Sequence, residues 1–168
     1  ENLIPYVEFT GESFPLTYTD DPQFDILGTE ATSKIPGLTL GGWWYITNTT
    51  NEQYLMAKWD AANQCSYYLA ARGDVANDPC RFCTSDDGTN SDCVSLVGYD
   101  VDTWHFIVGR YNDADTDAEL KIWIDEDTNT AATTRNSIFN STTDLTVSGS
   151  TYVLFGRASL CFICASAL

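Results

Sequence analysis

The chain has 168 residues, 43% of them apolar and 13% aromatic, which is enough to bury the core of one ordinary domain. Its 24 Asp and Glu against 8 Lys and Arg leave a net charge of −16, which repels phosphate backbones and anionic lipid and argues against nucleic acid and acidic membranes as partners. No apolar run reaches the roughly 18 residues of a spanning helix, so no membrane insertion is expected.

Taken in chain order, the segments YVEF, LTLGGWWYI, YLMAKW, SYYLAA, CVSLVGY, WHFIVGRY, LKIWI, LTV and YVLFG are short, apolar and rich in β-branched and aromatic residues. Clusters of Asp, Asn, Thr, Gly and Pro, the residues of turns, separate them. No stretch sustains an apolar period of 3.6 residues. The pattern predicts an all-β domain built as a sandwich or jelly roll. Residues 1–168 are read as a single domain, and the opening on Glu1, with no basic-then-apolar leader, suggests a piece processed or cut from a longer chain.

Several segments allow faces to be assigned. In LKIWID the residues Leu120, Ile122 and Ile124 share an apolar side opposite Lys121, Trp123 and Asp125. In WHFIVGRY the same reasoning puts Trp104, Phe106 and Val108 inside, with His105, Ile107 and Gly109 facing out. The polar stretch GDVANDPCRFCTSDDGTNSD, residues 73 to 92, reads as a surface excursion.

The six cysteines form an even set, and the sequons at Asn48 and Asn140 are compatible with glycosylation outside the cytosol. At least one disulfide is expected within the cluster from Cys65 to Cys93 if the protein matures in an oxidising compartment. The pairs Cys80-x-x-Cys83 and Cys161-x-x-Cys164 resemble zinc spacing, yet LCFIC alternates like a strand, which sends Cys161 and Cys164 to opposite faces and disfavours zinc.

Between WHFIVGRY and LKIWI lies NDADTDAE, with Asp113, Asp115 and Asp117 at alternate positions and Glu119 next. It resembles the start of an oxygen-rich calcium loop but lacks the glycine and the closing acid of an EF-hand. The two flanking strands make residues 112 to 119 a hairpin connection, whose acids are expected to project into water. No cofactor is required, and calcium is the one ion that these acidic turns would suit.

The order of pieces resembles the laminin G-like, concanavalin A-like jelly-roll family. YVEFTGESFPLTYTDDPQFDI is similar to that family's opening strand and acidic turn, LTLGGWWYI to its tryptophan-bearing second strand, and YLMAKWDAANQCSYYLAA to the strand pair after it. DTWHFIVGRYNDADTDAELKIWIDED is similar to its tryptophan-led strand and hairpin, so the match runs in order from about Tyr6 to Phe155. The closing GRASLCFICASAL departs from the family, lacking its final acid. The resemblance implies a concanavalin A-like jelly-roll sandwich of two antiparallel sheets. It also implies candidate calcium ligands in the acidic turn, namely Asp20, Asp21 and Asp25. The paired carboxylates of glycosidase relatives are missing, so no enzyme is expected.

Aromatic rings are the functional lead, because the C–H faces of a sugar lie flat on Trp or Tyr while its hydroxyls bond to Asp and Asn. Trp43, Trp59, Tyr67, Tyr68 and Trp123 are the candidate ligand-binding residues, with Trp123 foremost because Ile122 and Ile124 take the core side. Trp44 and Trp104 are assigned to the core. These readings favour a non-catalytic recognition module for glycan or a cell-surface protein, placed outside the cell, at its surface or on a virion. The competing reading is a structural domain of a virion, tail or filament that packs against neighbouring copies.

Overall fold

The computed structural model describes residues 6–8, 16–20, 37–47, 50–60, 63–77, 79–112, 119–131, 138–139, 141–147, 151–154 and 163–165. Its strands run in chain order as β1 (Tyr6–Glu8), β2 (Leu16–Tyr18), β3 (Leu38–Ile46), β4 (Glu52–Lys58), β5 (Tyr67–Arg72), β6 (Cys80–Thr84) and β7 (Asp92–Leu96). They continue as β8 (Trp104–Tyr111), β9 (Leu120–Ile124), β10 (Asp127–Ala131), β11 (Leu145–Val147), β12 (Thr151–Leu154) and β13 (Ile163–Ala165). No helix occurs among the described residues.

Two antiparallel sheets make a jelly-roll sandwich. One sheet has seven strands in the order β1-β12-β3-β8-β9-β10, with β13 pairing β3 beside its Leu38–Leu40 half while β12 pairs the Trp43–Ile46 half. The other has six strands in the order β2-β11-β4-β5-β6-β7. The chain crosses between sheets early and late, and stays within one sheet through β4 to β7 and then within the other through β8 to β10.

The inter-sheet core follows from strand alternation. From the seven-stranded sheet come Leu38, Leu40, Trp44 and Ile46 of β3, Ile107 and Tyr111 of β8, and Leu120, Ile122 and Ile124 of β9, all buried. The six-stranded sheet answers with Leu55 and Met56, Tyr67, Leu69 and Ala71, Cys80 and Phe82, and Val94. Burying each large apolar side chain contributes about 1.5–3 kcal/mol. In β4 the register slips between Tyr54 and Met56, a bulge that turns Leu55 fully inward as well.

Three sequence expectations are corrected here. First, β8 faces the other way: His105, Ile107, Gly109 and Tyr111 point inward, Phe106 is exposed, and Trp104 and Val108 are only partly buried. The cause is Gly109. An added Cβ there would lie 2.4 Å from Phe82 Cδ2, so the missing side chain is where the Phe82 ring sits. Apolarity alone pointed to Trp104, Phe106 and Val108, whereas packing chose the face with the gap.

Second, the polar stretch from Gly73 to Asp92 is not a mere excursion, because it contains β6, whose Phe82 is completely buried between β5 and β7. Five strand residues hemmed in by turn residues left too short a pattern to read. Third, Glu119 is buried at the foot of the hairpin, where its carbonyl accepts from Asn112 N–H at 2.8 Å, so it does not project into water. The hairpin itself is present, with Tyr111 opposite Leu120, while Asp113, Asp115 and Asp117 lie outside the described residues. The sequons at Asn48 and Asn140 also lie outside them.

Candidate functional site

The outer face of the seven-stranded sheet is a lattice of cross-strand neighbours from β3, β8, β9 and β10. The register sets Tyr45 opposite Trp104, Trp43 opposite Phe106, Gly41 opposite Val108 and Thr39 opposite Arg110. Beyond β8 it sets Val108 opposite Trp123 and Arg110 opposite Lys121, and then Trp123 opposite Thr128. All of these side chains share one side of the sheet, since partners in register do.

Rings run along one part of this face. Trp43 and Phe106 lie 5.4 Å apart at 47° and remain 43% and 40% exposed, and Tyr45 and Trp104 lie 5.6 Å apart at 60°. Beside them is a depression of about 260 Å³ lined by Thr39, Phe106, Val108, Arg110, Trp123 and Asp125. Gly41 keeps it from filling on the β3 side: a Cβ there would come 2.7 Å from Val108 Cγ2, so no side chain shares the floor. The Trp123 ring is flanked by cations, with the Lys121 Nζ at 4.7 Å and the Arg110 guanidinium carbon at 5.8 Å from its centroid.

Asp125 closes the other end. It begins the two-residue connection between β9 and β10 with φ at 52°, a left-handed conformation that Asp tolerates. Its Oδ1 accepts from Phe106 N–H at 2.9 Å, and its Oδ2 lies 2.7 Å from His105 Nδ1. Burial pushes the Asp125 carboxyl up, but the Phe106 N–H, the His105 bond and the His105 charge outweigh it and leave it below the usual carboxylate range. His105 itself is buried, with Nε2 at 3.0 Å from Asp100 N and 3.1 Å from Asp100 O. That nitrogen either accepts from the amide or, when protonated, donates to the carbonyl, so the imidazole is a positioning group for Asp125.

The outer face of the six-stranded sheet holds a second aromatic group. Tyr68 stands edge-on to Tyr54 at 5.2 Å and to Trp59 at 4.8 Å, and is only 6% exposed. Beside it, opposite in register, Cys83 joins Cys93 in a disulfide. Burial first, then Glu52 and Tyr68, push the Tyr54 hydroxyl up to about 12, with Arg72 opposing. Arg72 is bound to Asp74 at 2.7 Å and lies 3.3 Å from Glu52. Rings and charges here satisfy one another.

The sequence candidates are thus divided. Trp43 and Trp123 share the outer face of the seven-stranded sheet, Trp59 and Tyr68 occupy the opposite side of the molecule, and Tyr67 is fully buried in the inter-sheet core, where its ring offers no face to a ligand. Sequence reasoning missed Phe106 and Arg110 on the first face, and set Asp125 on the side of Trp123 without naming it a site residue. The signal for Phe106 and Arg110 was Gly109, whose place in a strand marks a close approach on that side and sends its alternate neighbours outward.

Of the acidic turn, only Asp20 is among the described residues. Its carboxylate receives the buried Lys58 ammonium at 2.5 Å, and the same ammonium donates to the Ser141 carbonyl. Asp144 Oδ1 accepts from the Asp20 N–H at 3.0 Å. The Asp20 carboxylate is thus engaged by an internal cation, while Asp21 and Asp25 lie outside the described residues. The zinc spacing fails on geometry as well: Cys80 points into the core, and Cys83 points outward into its disulfide. Cys65 and Cys80 are free thiols, and burial pushes both upward.

No family model matches the sequence, and no curated protein matches it. Solved structures do resemble the fold. A CBM40 domain of Ruminococcus gnavus IT-sialidase, bound to α2,3 sialyllactose, superposes with a TM-score of 0.53 at 9% identity over 92% of this chain and 94% of that one. The binding domain of botulinum neurotoxin DC in complex with rat synaptotagmin II gives a TM-score of 0.51 at 11% identity, covering 71% of this chain. The match spans 31% of the toxin chain, under a third of its length. Galectin LEC-6 of Caenorhabditis elegans is similar over 92% of this chain at 10% identity, with a TM-score of 0.48.

Proposed function

We propose that the protein is a non-catalytic carbohydrate-binding module whose site is the outer face of the seven-stranded sheet. The observation that carries this reading is the conjunction of the exposed Trp43 and Phe106 rings with the depression against Trp123. A pyranose has one apolar face to lay on an indole and a rim of hydroxyls for Thr39, Thr128 and Asp125, and the face supplies both kinds of partner. The sialyllactose-bound CBM40 domain supports it as a fold that carries this kind of function. The motif order supports a laminin G-like branch of that fold, with residues 1–168 acting as one module. The Cys83–Cys93 disulfide supports maturation in an oxidising compartment and hence a place outside the cell or at its surface.

A panel of immobilised oligosaccharides tests the reading. Wild-type protein is expected to be retained by a subset, Trp123→Ala and Trp43→Ala to weaken retention about tenfold or more, and Trp59→Ala to leave it unchanged. Retention that depends on Trp59 and not on Trp123 would place the site on the wrong face. A protein that ignores every glycan yet self-associates would overturn the proposal in favour of a structural domain packing against neighbouring copies.

A further inference from the structure

We infer that Lys58 and Asp20 form a covalent amide across one corner of the six-stranded sheet, an internal cross-link that the folded protein makes from its own side chains. The inference is independent of the glycan reading.

Placement carries it. Lys58 is the last residue of β4, opposite Tyr67 in register, and its side chain turns into the sandwich with 1% of it exposed. Its Nζ lies 2.5 Å from Asp20 Oδ1 and donates to the Ser141 carbonyl. Asp20 is itself anchored, since its N–H donates to Asp144 Oδ1 at 3.0 Å. The fold therefore holds an amine against a carboxyl group in an enclosed place. A buried ion pair returns little net stability once both charges have left water, so attraction alone is a weak reason to enclose a lysine here. An amide joins the same atoms without charge.

The bond balances with no further reactant. One proton passes from Nζ to the Asp20 carboxylate along the contact between them, which leaves a neutral amine and a carboxylic acid. The amine attacks Cγ, an N–C bond forms, and one C–O bond breaks as the hydroxyl departs with a second nitrogen proton as water. The N–H that remains keeps the Ser141 carbonyl as its acceptor. Reacting groups held in contact gain effective concentrations of about 10⁵ M or more when well oriented, which drives a condensation that free amine and acid do not complete in water. The Asp20 side chain is 29% exposed, which gives the water a way out, while the enclosed lysine side shields the product from hydrolysis.

Topology says what the link does. β2 is a three-residue edge strand paired with β11, and β11, also of three residues, meets β4 in register at Thr146 and Ala57. Short ladders hold this edge. At the opposite edge of the same sheet, β7 is bonded to β6 through Cys83–Cys93. A Lys58–Asp20 amide spans β11 and fastens β2 to β4, so both edges of the sheet are covalently tied. The link joins residues 38 positions apart, which restricts the unfolded chain strongly.

The test is the intact mass of the folded, purified protein, read after denaturation and reduction of its disulfides. Wild type is expected to be lighter than its sequence by one water, and a proteolytic digest to contain a branched peptide joining the segments around Asp20 and Lys58. Asp20→Asn offers a carboxamide to the same amine and is expected to lose ammonia in place of water. Lys58→Met is expected to show its full sequence mass. Because Met is a similarly long, apolar side chain, loss of an ion pair alone leaves thermal stability near that of wild type, whereas loss of the link is expected to lower Tm by about 10 °C. If Lys58→Met proves poorly folded, the wild-type and Asp20→Asn masses decide by themselves. A wild-type mass equal to the full sequence after prolonged incubation of the folded protein would overturn the inference and leave Lys58 and Asp20 as an ion pair only. Water lost without a branched peptide, as from a succinimide at Asp87–Gly88, would overturn it equally. A branched peptide in wild type beside a Lys58→Met variant of equal stability would support the bond and overturn its role in fastening the edge.

Discussion

On the outer face of the six-stranded sheet, Tyr68 stands edge-on between Tyr54 and Trp59 and is 6% exposed, whereas across the sandwich Trp43 and Phe106 pair at 5.4 Å and leave 43% and 40% of themselves in solvent. The neighbours explain the difference. Around Tyr68 the small residues Ala57 and Ala70 leave room for the larger rings to lie down, and the Cys83–Cys93 bridge walls the cluster on its other side. Around Trp123, the glycine at position 41 and the short Thr39 and Val108 side chains leave a depression that the face does not fill itself. A ring becomes a structural member when other rings occupy its faces and edges, and a binding surface when they do not. Composition counts both alike.

The sharpest way to break this comparison is to remove one ring from each face and measure stability by urea unfolding. Tyr68→Ala vacates a buried position and is expected to cost about 3 kcal/mol or more, by analogy with other large-to-small aromatic changes in cores. Trp43→Ala gives up one partly solvated contact with Phe106 and is expected to cost about 1 kcal/mol or less while weakening glycan retention. Equal costs would mean that the two faces are not different in kind.

A second, smaller effect tests which side of β8 faces in, on which the whole site depends. Gly109→Ala places a Cβ at 2.4 Å from Phe82 Cδ2 and 2.5 Å from its Cγ, so the ring must move, at an expected cost of about 1–3 kcal/mol. Combining it with Phe82→Leu is expected to give non-additive costs in a double-mutant cycle, because the two positions share one volume. Additive costs would separate Gly109 from Phe82 and return Phe106 and Val108 to the core side.

That same glycine marks the limit of what the sequence made legible. Strand alternation suffices where one side is plainly apolar, as in β9, where Leu120, Ile122 and Ile124 are all buried and Trp123 emerges on the other side. It fails where both sides carry large residues, as in β8, because the deciding contact comes from Phe82, distant in sequence and itself within a segment too short to read. The two-sheet architecture and the presence of a disulfide within the cluster from Cys65 to Cys93, which is the Cys83–Cys93 bond, were accessible from element order and cysteine spacing. The pairing of Lys58 with Asp20 was not, since a lysine at the inward end of a strand has no sequence mark that distinguishes it from a solvated one.

The smallest expected effect concerns the polar end of the depression, where the Asp125 carboxylate stands beside the rings of the seven-stranded face. Asp125→Asn isolates the charge. Asn is as tolerant as Asp of a φ near 52°, and its amide oxygen still accepts from the Phe106 N–H, so the substitution removes only the carboxylate facing His105. Folding lowers the Asp125 pKa, so the folded state binds the proton more weakly than the unfolded chain. The resulting stability is fully present above the unfolded carboxylate value of about 3.9 and is lost as pH falls through the lower folded value. With 44% of the Asp125 side chain exposed, solvent screens the pair, and the difference between wild type and variant at pH 7 is expected to be under about 1 kcal/mol. Urea unfolding at pH 7 and at successively lower pH is expected to show that gap narrowing as the pH falls, because wild-type Asp125 takes up its proton and comes to match the uncharged Asn. A gap that persists unchanged at low pH would show that shape and hydrogen bonding at the β9–β10 turn, and not the carboxylate charge, hold this end of the site in place.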